Sequence, residues 1–531
     1  MEEISIKKTN KELKLGVVLS YLLIALNIIS GFFLIPFIIN NLGKSNYGLY
    51  TAASSLITMF IVDLGLGTAI TKFISKYRVT STQEEIDKLV SVIFYCFLVL
   101  AFILCIIFVC IFPFLDSIYS SFTYDEISSF RIVYIIVASY SVLTFPFGIV
   151  NGMLVAYDRI FLSKLSDIIS RLVFIASTII VLCLNLGLYW LTACYAIHGI
   201  VGILLKFIFV KIKTPCKFIN KMEMSEFKRI FKEVVFFSFW AAINSFGRVI
   251  LISFGPTIIG FSSGEAQGAQ EIAVFSIALQ IESYVSLFAT SFGAIFYPTI
   301  SRVLFRNGEP DKEAFESFKA FHVKIARFQV LILAITIAGL IVCGKEFLFL
   351  WVGEGYDKAY YCILALCIPA LFFYPLQTAE NAIAAIEKIK YCAISTIIAT
   401  VVGIGAAIGL AFLLGSIGVS IGICIGFITR IVLFNVCFKN MLTINPLSFY
   451  LKAYLSFIVA FASSVVVGVC LNYFFPSYSL ATFAVKVVTV ALTYFAIACI
   501  FSFNKEEKNK VDGYFKLIFG KVSNLLRKVE R

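Results

Sequence analysis

The sequence has few charged residues for its length. Of 531 residues, 14 % are Asp, Glu, Lys or Arg and 60 % are hydrophobic, whereas soluble globular domains have about 25 % charged and about 45–50 % apolar residues. So few charges cannot cover a surface that faces water, which excludes a soluble protein of this size. The apolar stretches are continuous rather than alternating, which also excludes an outer-membrane β-barrel.

Residues that carry metal, redox and nucleophilic chemistry are also scarce or scattered. The two histidines, His198 and His322, share no cluster of Asp, Glu or Cys at ligand spacing. The 14 cysteines form no CxxC pair, which predicts free thiols rather than disulfides or metal ligands. No phosphate-binding glycine loop and no nucleophile elbow occurs. We therefore expect neither a metal nor a cofactor, and no enzyme activity.

Long apolar segments make up most of the chain instead. A helix needs about 20 apolar residues to cross a hydrocarbon core of about 30 Å. The sequence predicts an all-α polytopic membrane protein with about fourteen transmembrane helices. Their predicted ranges are 15–41, 49–70, 89–113, 132–156, 165–185, 189–210, 234–260, 272–300, 328–350, 359–386, 391–414, 417–438, 453–474 and 480–503.

The distribution of basic residues predicts the orientation of these spans. With the N-terminus in the cytoplasm, 36 Lys and Arg fall in inner segments and four fall in outer loops, namely Lys44, Arg131, Lys345 and Lys358. The positive-inside rule then places both termini in the cytoplasm. The net charge of +13 is explained by this bias, so it does not indicate binding to nucleic acid.

The spans also suggest an internal repeat. Spans seven and eight have the same orientation as spans one and two, which is typical of two parallel bundles with a site between them. We expect five parts: an N-terminal six-helix bundle at 1–210, a cytoplasmic linker at 211–233 with an amphipathic helix at 224–232, a C-terminal six-helix bundle at 234–440, an extra transmembrane pair at 441–503, and a basic amphipathic cytoplasmic tail at 504–531.

Six short motifs lie in order along the chain: LGKSNYGLY at 42–50, DLGLG at 63–67, KFIS at 72–75, NGMLVAYDR at 151–159, YPTIS at 297–301 and LWVGEGY at 350–356. In residues and spacing they resemble the bacterial polysaccharide (O-antigen-type) flippases of the multidrug/oligosaccharidyl-lipid/polysaccharide exporter superfamily. One departure is Arg248, in a span where many relatives have an acidic residue.

The resemblance implies a function. Such a flippase moves a polyprenyl-pyrophosphate-linked oligosaccharide from the inner to the outer leaflet of the bacterial cytoplasmic membrane by alternating access, for cell-surface polysaccharide biosynthesis. Its expected partners are the lipid-linked glycan, membrane lipids and other membrane proteins of polysaccharide assembly.

Charged residues inside spans are costly, so those present are the first candidates for a site. Arg248 lies 14 residues, about 21 Å, into its predicted span and could bind a diphosphate. Arg171 lies about 9 Å into its span by the same rise, with Asp167 at i−4 as a candidate partner. Arg430 and Lys486 lie nearer to the ends of their spans, where such residues commonly act as interfacial anchors.

Uncharged and acidic groups complete the candidate set. Polar cavity candidates that could equally form hydrogen bonds between helices are Asp63, Asn151, Asn244, Gln377 and Asn381. Glu282 and Glu380 are candidates for coupling to a proton or sodium gradient, the alternative being a structural pair with Arg248 or Gln280. Asn244 is also the alternative partner of Arg248. Basic residues expected at the inner mouth are Lys72, Arg159 and Arg302, although orientation alone explains them.

Two other functions compete with the flippase. A drug/cation antiporter on the same fold needs an acidic cavity, whereas this chain has two arginines within spans. A membrane glycosyltransferase or polymerase needs catalytic groups on a sizeable segment outside the lipid, and the predicted outer loops are short.

Overall fold

The computed structural model describes residues 2–60, 70–71, 73–74, 77–78, 81–218, 222–264, 266–306, 310–386 and 388–503. Three predictions lie outside these residues: the roles of Asp63 and Lys72, and the basic tail at 504–531. All regular secondary structure in the described chain is helical.

The α-helices of eight or more residues follow one another closely along the chain. In order they are α1 (Glu2–Phe60), α2 (Gln83–Ile111), α3 (Tyr124–Thr144), α4 (Ile149–Ala156), α5 (Ile160–Cys183), α6 (Leu188–Lys213), α7 (Met224–Ser253), α8 (Gly255–Ser262), α9 (Gly268–Leu304), α10 (Lys312–Val352), α11 (Asp357–Phe373), α12 (Gln377–Ala385), α13 (Ile389–Leu414), α14 (Ser416–Leu442), α15 (Pro446–Ala453), α16 (Leu455–Phe474) and α17 (Leu480–Ile497).

The predicted fold class is confirmed, and the number of spans is approximate. Twelve stretches of the described chain are long and apolar enough to cross a membrane. The first, Val18–Phe60, is 43 residues long and contains a break at Gly43, where predicted spans one and two meet. The 37-residue α9 covers predicted span eight. The protein is therefore a multi-pass membrane protein of the predicted helical class.

Local sequence signals explain several helix boundaries. Thr82 and Thr123 begin α2 and α3 as capping boxes with Glu85 and Glu126. The segment 224–232, predicted as a separate amphipathic helix, is instead the start of α7, because neither Gly nor Pro interrupts the chain before the apolar part of that helix.

The chain divides into two compact units, each made of separate segments. The first unit contains Met1–Leu287, Glu354–Pro369 and Ile386–Phe434, and the second contains Phe288–Gly353, Ala370–Ala385 and Asn435–Arg531. The division into two six-helix bundles with an extra pair stays a prediction.

In the second unit, α16 and α17 are fixed to α10 by a buried arginine. Arg327 Nη1 donates to the Lys452 carbonyl at 3.0 Å and to Ser456 Oγ at 2.9 Å. Its Nη2 donates to the Ser502 carbonyl at 2.5 Å. A guanidinium with five donors can satisfy several carbonyls in one place, so a single side chain joins the ends of three helical segments.

A buried ion pair lies farther along α10. Lys486 Nζ on α17 is 2.7 Å from Glu346 Oε2, and the two side chains are 2 % and 3 % exposed. Thr482 Oγ1 donates to the other carboxylate oxygen at 2.7 Å. The prediction that Lys486 is an interfacial anchor is wrong, because its ammonium is held inside the protein by a carboxylate 140 residues away.

Candidate functional site

Arg171 lies at the middle of α5. It follows Ile160 by 11 residues and precedes Cys183 by 12 residues, which puts it about 17 Å from either end of the helix. The predicted depth of 9 Å was counted from the start of the apolar span at residue 165, five residues after the start of α5. Arg171 therefore has about three helical turns of α5 on either side.

The Arg171 guanidinium is held by a hydroxyl and an aromatic ring. Its Nε and Nη2 donate to Ser30 Oγ on α1 at 3.0 and 2.7 Å. The guanidinium carbon lies 5.1 Å from the centroid of the Phe174 ring, one turn later on α5. These neutral partners fix the orientation of the guanidinium without neutralising its charge.

The predicted pairing of Arg171 with Asp167 is wrong. The Asp167 carboxylate lies 2.7 Å from Lys206 Nζ on α6 and 3.5 Å from Lys164 Nζ on α5. The carboxylate therefore pairs with lysines of α5 and α6, whereas the Arg171 guanidinium bonds to α1.

Two tyrosines, Tyr50 and Tyr195, extend the group of side chains around this arginine. The Tyr195 ring lies 6.0 Å from that of Tyr50 and 6.4 Å from that of Phe174. Tyr50 also lies within electrostatic range of Arg171. We call Ser30, Tyr50, Arg171, Phe174 and Tyr195 the Arg171 cluster. It combines a permanent positive charge with hydroxyl groups, the combination that suits phosphate oxygens and sugar hydroxyls.

A further tyrosine comes to the same cluster from α9. Tyr284 lies within electrostatic range of Arg171. Its hydroxyl packs against the backbone of Gly31, where a Cβ atom would lie only 2.0 Å from the oxygen. Gly31 is therefore required for the close approach of Tyr284 to α1 beside Ser30.

Arg248 and Asn244 lie on α7 but have different surroundings. Asn244 Oδ1 accepts hydrogen bonds from Thr396 Oγ1 at 2.8 Å and Arg430 Nη2 at 3.3 Å. Arg248 is half-buried, and within the described residues its guanidinium makes neither a hydrogen bond nor an ion pair. The alternative pairing of Arg248 with Asn244 is not observed.

Arg430 is not the interfacial anchor that its position predicted. It is 3 % exposed, and its guanidinium lies 4.7 Å from the Phe434 ring centroid. Together with Asn244 it joins α7 to α14.

The other candidates lie on several different helices. Asn151 Oδ1 accepts a hydrogen bond from Ser163 Oγ at 2.6 Å, and Glu282 is buried on α9 in the first unit. Arg302 is exposed near the end of α9. The candidates on α12 belong to the second unit, where each is half-buried: Gln377, Glu380 and Asn381. Arg159 immediately precedes α5.

At the predicted inner end of the first unit, an ion pair joins α2 to α7. Lys88 Nζ is 3.1 Å from Glu226 Oε2 and 3.2 Å from Glu84 Oε1. These residues line a polar pocket of about 540 Å³ together with Arg229 and Glu233. Segments far apart in the sequence are thus held together at this end by a partly buried ion pair.

Nearby, Cys216 in the loop after α6 is less reactive than an exposed thiol. Its Sγ donates to Tyr157 Oη at 3.1 Å, and burial raises the pKa of the thiol. We therefore expect slow modification of this cysteine.

At the predicted outer end of the first unit, neutral hydrogen bonds join segments from the two halves of the chain. Ser121 Oγ donates to the Gly260 carbonyl at 2.5 Å, and the backbone N–H of Ala266 donates to the Ser121 carbonyl at 3.0 Å. Tyr119 and Thr257 hydroxyls lie 3.3 Å apart. Beside them is an apolar crevice of about 810 Å³, lined in part by Ile118 and Thr257.

No pattern in the sequence pointed to the partners of Arg171. Ser30, Tyr50, Tyr195 and Tyr284 lie on three different helices, and each looks like an ordinary span residue. The one available signal is the Ser30-Gly31 pair, since small residues within an apolar helix commonly mark a close helix contact.

Comparison with known proteins agrees with the fold. Residues 15–304 match the family model described as "Polysaccharide biosynthesis protein". No curated protein sequence matches the chain.

Three solved structures illustrate the likeness in fold. The lipid II flippase MurJ in an inward closed conformation is 15 % identical, with a TM-score of 0.69, and the match covers 91 % of this chain and 98 % of that chain. The eukaryotic MATE transporter AtDTX14 is 17 % identical, with a TM-score of 0.59 and coverages of 81 % and 95 %. The Vibrio cholerae MATE transporter VcmN in the bent form is 13 % identical, with a TM-score of 0.53 and coverages of 84 % and 99 %. The chain therefore belongs to the polysaccharide biosynthesis protein family and has the fold that MurJ shares with the MATE transporters.

Proposed function

We propose that the protein is a flippase that moves a polyprenyl-pyrophosphate-linked oligosaccharide from the inner to the outer leaflet of the bacterial cytoplasmic membrane. The glycan then enters cell-surface polysaccharide biosynthesis. The observation that carries this proposal is the charged Arg171, held at mid-helix by neutral groups. Both termini face the cytoplasm in this proposal, in accord with the basic inner segments.

The chemistry of Arg171 favours an anionic cargo. An arginine at the centre of a membrane-spanning helix costs roughly 2.5–3.5 kcal/mol on insertion scales, so such a residue commonly has a function. Its two hydrogen bonds within the described residues go to the Ser30 hydroxyl, and the carboxylate one turn earlier is paired with lysines. The remaining N–H donors can bind diphosphate oxygens in a forked geometry.

Arg248 is the second cation of the proposed site. A half-buried guanidinium without a hydrogen-bonding partner in the described residues can accept an anion at little cost, since no existing pair must be broken. The amides and the acid proposed for sugar contacts are those predicted from the sequence: Asp63, Asn151, Gln377 and Asn381.

Alternating access requires that the two ends of the first unit open in turn. The contacts at the predicted inner end include the ion pair of Lys88 with Glu226, whose side chains are 18 % and 35 % exposed, and those at the predicted outer end include neutral hydrogen bonds. Ion pairs in contact with water are each worth about 0–1 kcal/mol, so the inner contact can break and reform. The lipid chain stays in the bilayer, and Glu282 and Glu380 are the proposed coupling groups for a proton or sodium gradient.

The test compares arginine variants in cells that depend on this protein for surface glycan. Arg171→Ala should abolish glycan export while the protein still inserts. Arg171→Lys should retain only part of the export, because lysine keeps the charge but cannot form the two parallel hydrogen bonds of a guanidinium. The control is Arg131→Ala, since Arg131 is exposed and paired with Asp116 at 2.6 Å. Normal export by Arg171→Ala at ordinary protein levels would refute the proposal.

A drug/cation antiporter is the second candidate. Two observations favour it: the likeness in fold to MATE transporters and the buried carboxylate of Glu282 on α9, which is 5 % exposed. In that case Glu282→Gln should abolish resistance to organic cations, and Arg171→Ala should leave resistance unchanged. The two sets of variants therefore separate the two functions.

A further inference from the structure

Two of the sequence motifs that the proposed transport path does not use meet at the predicted outer end. The motif at 42–50 supplies Lys44, and the motif at 350–356 supplies Gly355 and Tyr356. Lys44 Nζ donates to the Gly355 carbonyl at 2.7 Å across 311 residues of sequence, and it lies 4.6 Å from the centroid of the Tyr356 ring. Both partners belong to the first unit.

Glycine is required on both sides of this contact. Gly43, which precedes Lys44, has φ 82° and ψ 164° and breaks α1. Gly355 has φ 84°. Residues with a Cβ atom rarely adopt such conformations, so another residue at either position would be strained. A Cβ on Gly355 would lie an ordinary 3.9 Å from Lys44 Nζ. The backbone conformation, rather than lack of space, therefore demands glycine here.

The charge of Lys44 is held by neutral groups. A hydrogen bond from a charged ammonium to a carbonyl is stronger than one between neutral groups. The Tyr356 ring adds a cation–π interaction. Burial raises the pKa of Tyr356 to about 12, so its ring stays uncharged. The carboxylate of Glu271, which attracts Lys44 electrostatically, is already bonded to Lys358 Nζ and Ser416 Oγ, each at 2.5 Å.

This arrangement can open without leaving a buried charge unpaired. Lys44 is half-buried, and when it leaves Gly355 its ammonium can be solvated by water, while only a carbonyl remains behind. The contrast is the pair of Lys486 with Glu346, where separation would strand two charges inside the protein. The geometry at Lys44 suits a contact that forms and breaks repeatedly.

We propose that the contact of Lys44 with Gly355 and Tyr356 is a reversible latch that keeps the predicted outer end closed and opens during each transport cycle. The latch gives the glycines of both motifs a physical role. It rests on the proposed alternating access but not on the identity of the cargo.

A buried residue between α9 and α1, the helix that carries Lys44, provides the test. Ser276 on α9 is 6 % exposed, and its Oγ donates to Thr51 Oγ1 on α1 at 2.9 Å. With Ser276→Cys in place, the rate of reaction with a membrane-impermeant maleimide measures how often this end opens. The same variants without Ser276→Cys correct for native thiols.

Lys44→Met should speed labelling of the reporter by about tenfold, which corresponds to 1.4 kcal/mol in the opening equilibrium. Lys44→Gln should do the same, since it also removes the charge. The matched control is Lys319→Met, which removes a lysine paired with Glu316 on α10 and should leave the rate unchanged.

Equal labelling rates in the wild type and in both Lys44 variants would overturn the latch. So would equal acceleration by Lys319→Met, because that outcome indicates general loosening. Labelling does not depend on the cargo. Accelerated labelling in a protein that exports no glycan would therefore contradict the proposed function and leave the latch intact.

Discussion

The buried ion pair of the second unit makes the sharpest prediction about stability. Lys486→Met keeps most of the side-chain volume and removes the charge, so the Glu346 carboxylate is left inside the protein with only the Thr482 hydroxyl, which donates at 2.7 Å. Removing one partner of a buried pair costs about 3–5 kcal/mol. We expect a loss of that size in the free energy of unfolding.

The second change is designed to relieve the first. Glu346→Gln in the Lys486→Met background removes the stranded charge, and its amide oxygen can still accept the Thr482 hydrogen bond. The double variant should therefore recover most of the lost stability, which gives a large coupling energy in a double-mutant cycle.

The measurement is denaturant unfolding in mixed micelles, with the midpoint and slope recorded for each variant. The control is Arg131→Met, because Arg131 and its partner Asp116 are 43 % and 53 % exposed and such pairs contribute about 0–1 kcal/mol. A loss below about 1 kcal/mol for Lys486→Met, or a double variant less stable than the single one, would refute the reasoning.

Three further predictions concern orientation, coupling and packing. A cysteine in place of the exposed Tyr124 should react with an impermeant reagent in whole cells, and one in place of the exposed Ser225 should not, if the charge bias sets the orientation. The double variant Glu282→Gln with Glu380→Gln should lose gradient-dependent transport, and full transport would remove both acids from the mechanism. His322 stacks between two phenylalanine rings, 5.8 and 4.5 Å from their centroids, and neither ring nitrogen has a hydrogen-bonding partner in the described chain. His322→Phe should therefore raise the free energy of unfolding by about 1–2 kcal/mol, and a loss of stability in micelles would contradict this.

The features that sequence predicted well are those that local composition determines. The apolar spans follow from windows of about 20 residues, so the fold class and most helix positions were predictable. The break at Gly43 was predicted as a short loop between two spans. The predicted span starts five residues after α5 does, because polar residues near Lys164 extend the helix beyond its apolar part.

Partners distant in sequence could not be predicted in the same way. Neither Glu346 nor Lys486 carries a signal for the other, since 140 residues separate them and either charge alone resembles an interfacial residue. Spacing at i−4 within one helix predicted Asp167 as the partner of Arg171, but the Asp167 carboxylate forms an ion pair with Lys206 on the next helix. Packing between helices, rather than spacing within one helix, determines which charges meet.

We propose that the Arg171 cluster binds the diphosphate of the lipid-linked glycan while the glycan crosses the membrane. The direct measurement uses the purified protein in vesicles that contain a polyprenyl-diphosphate-linked disaccharide and follows its appearance in the opposite leaflet. The wild type should accelerate this movement, Arg171→Ala should remove the acceleration, and Arg131→Ala should retain it. Equal flipping by wild type and Arg171→Ala, or no flipping by wild-type protein that transports an organic cation in the same vesicles, would contradict the account.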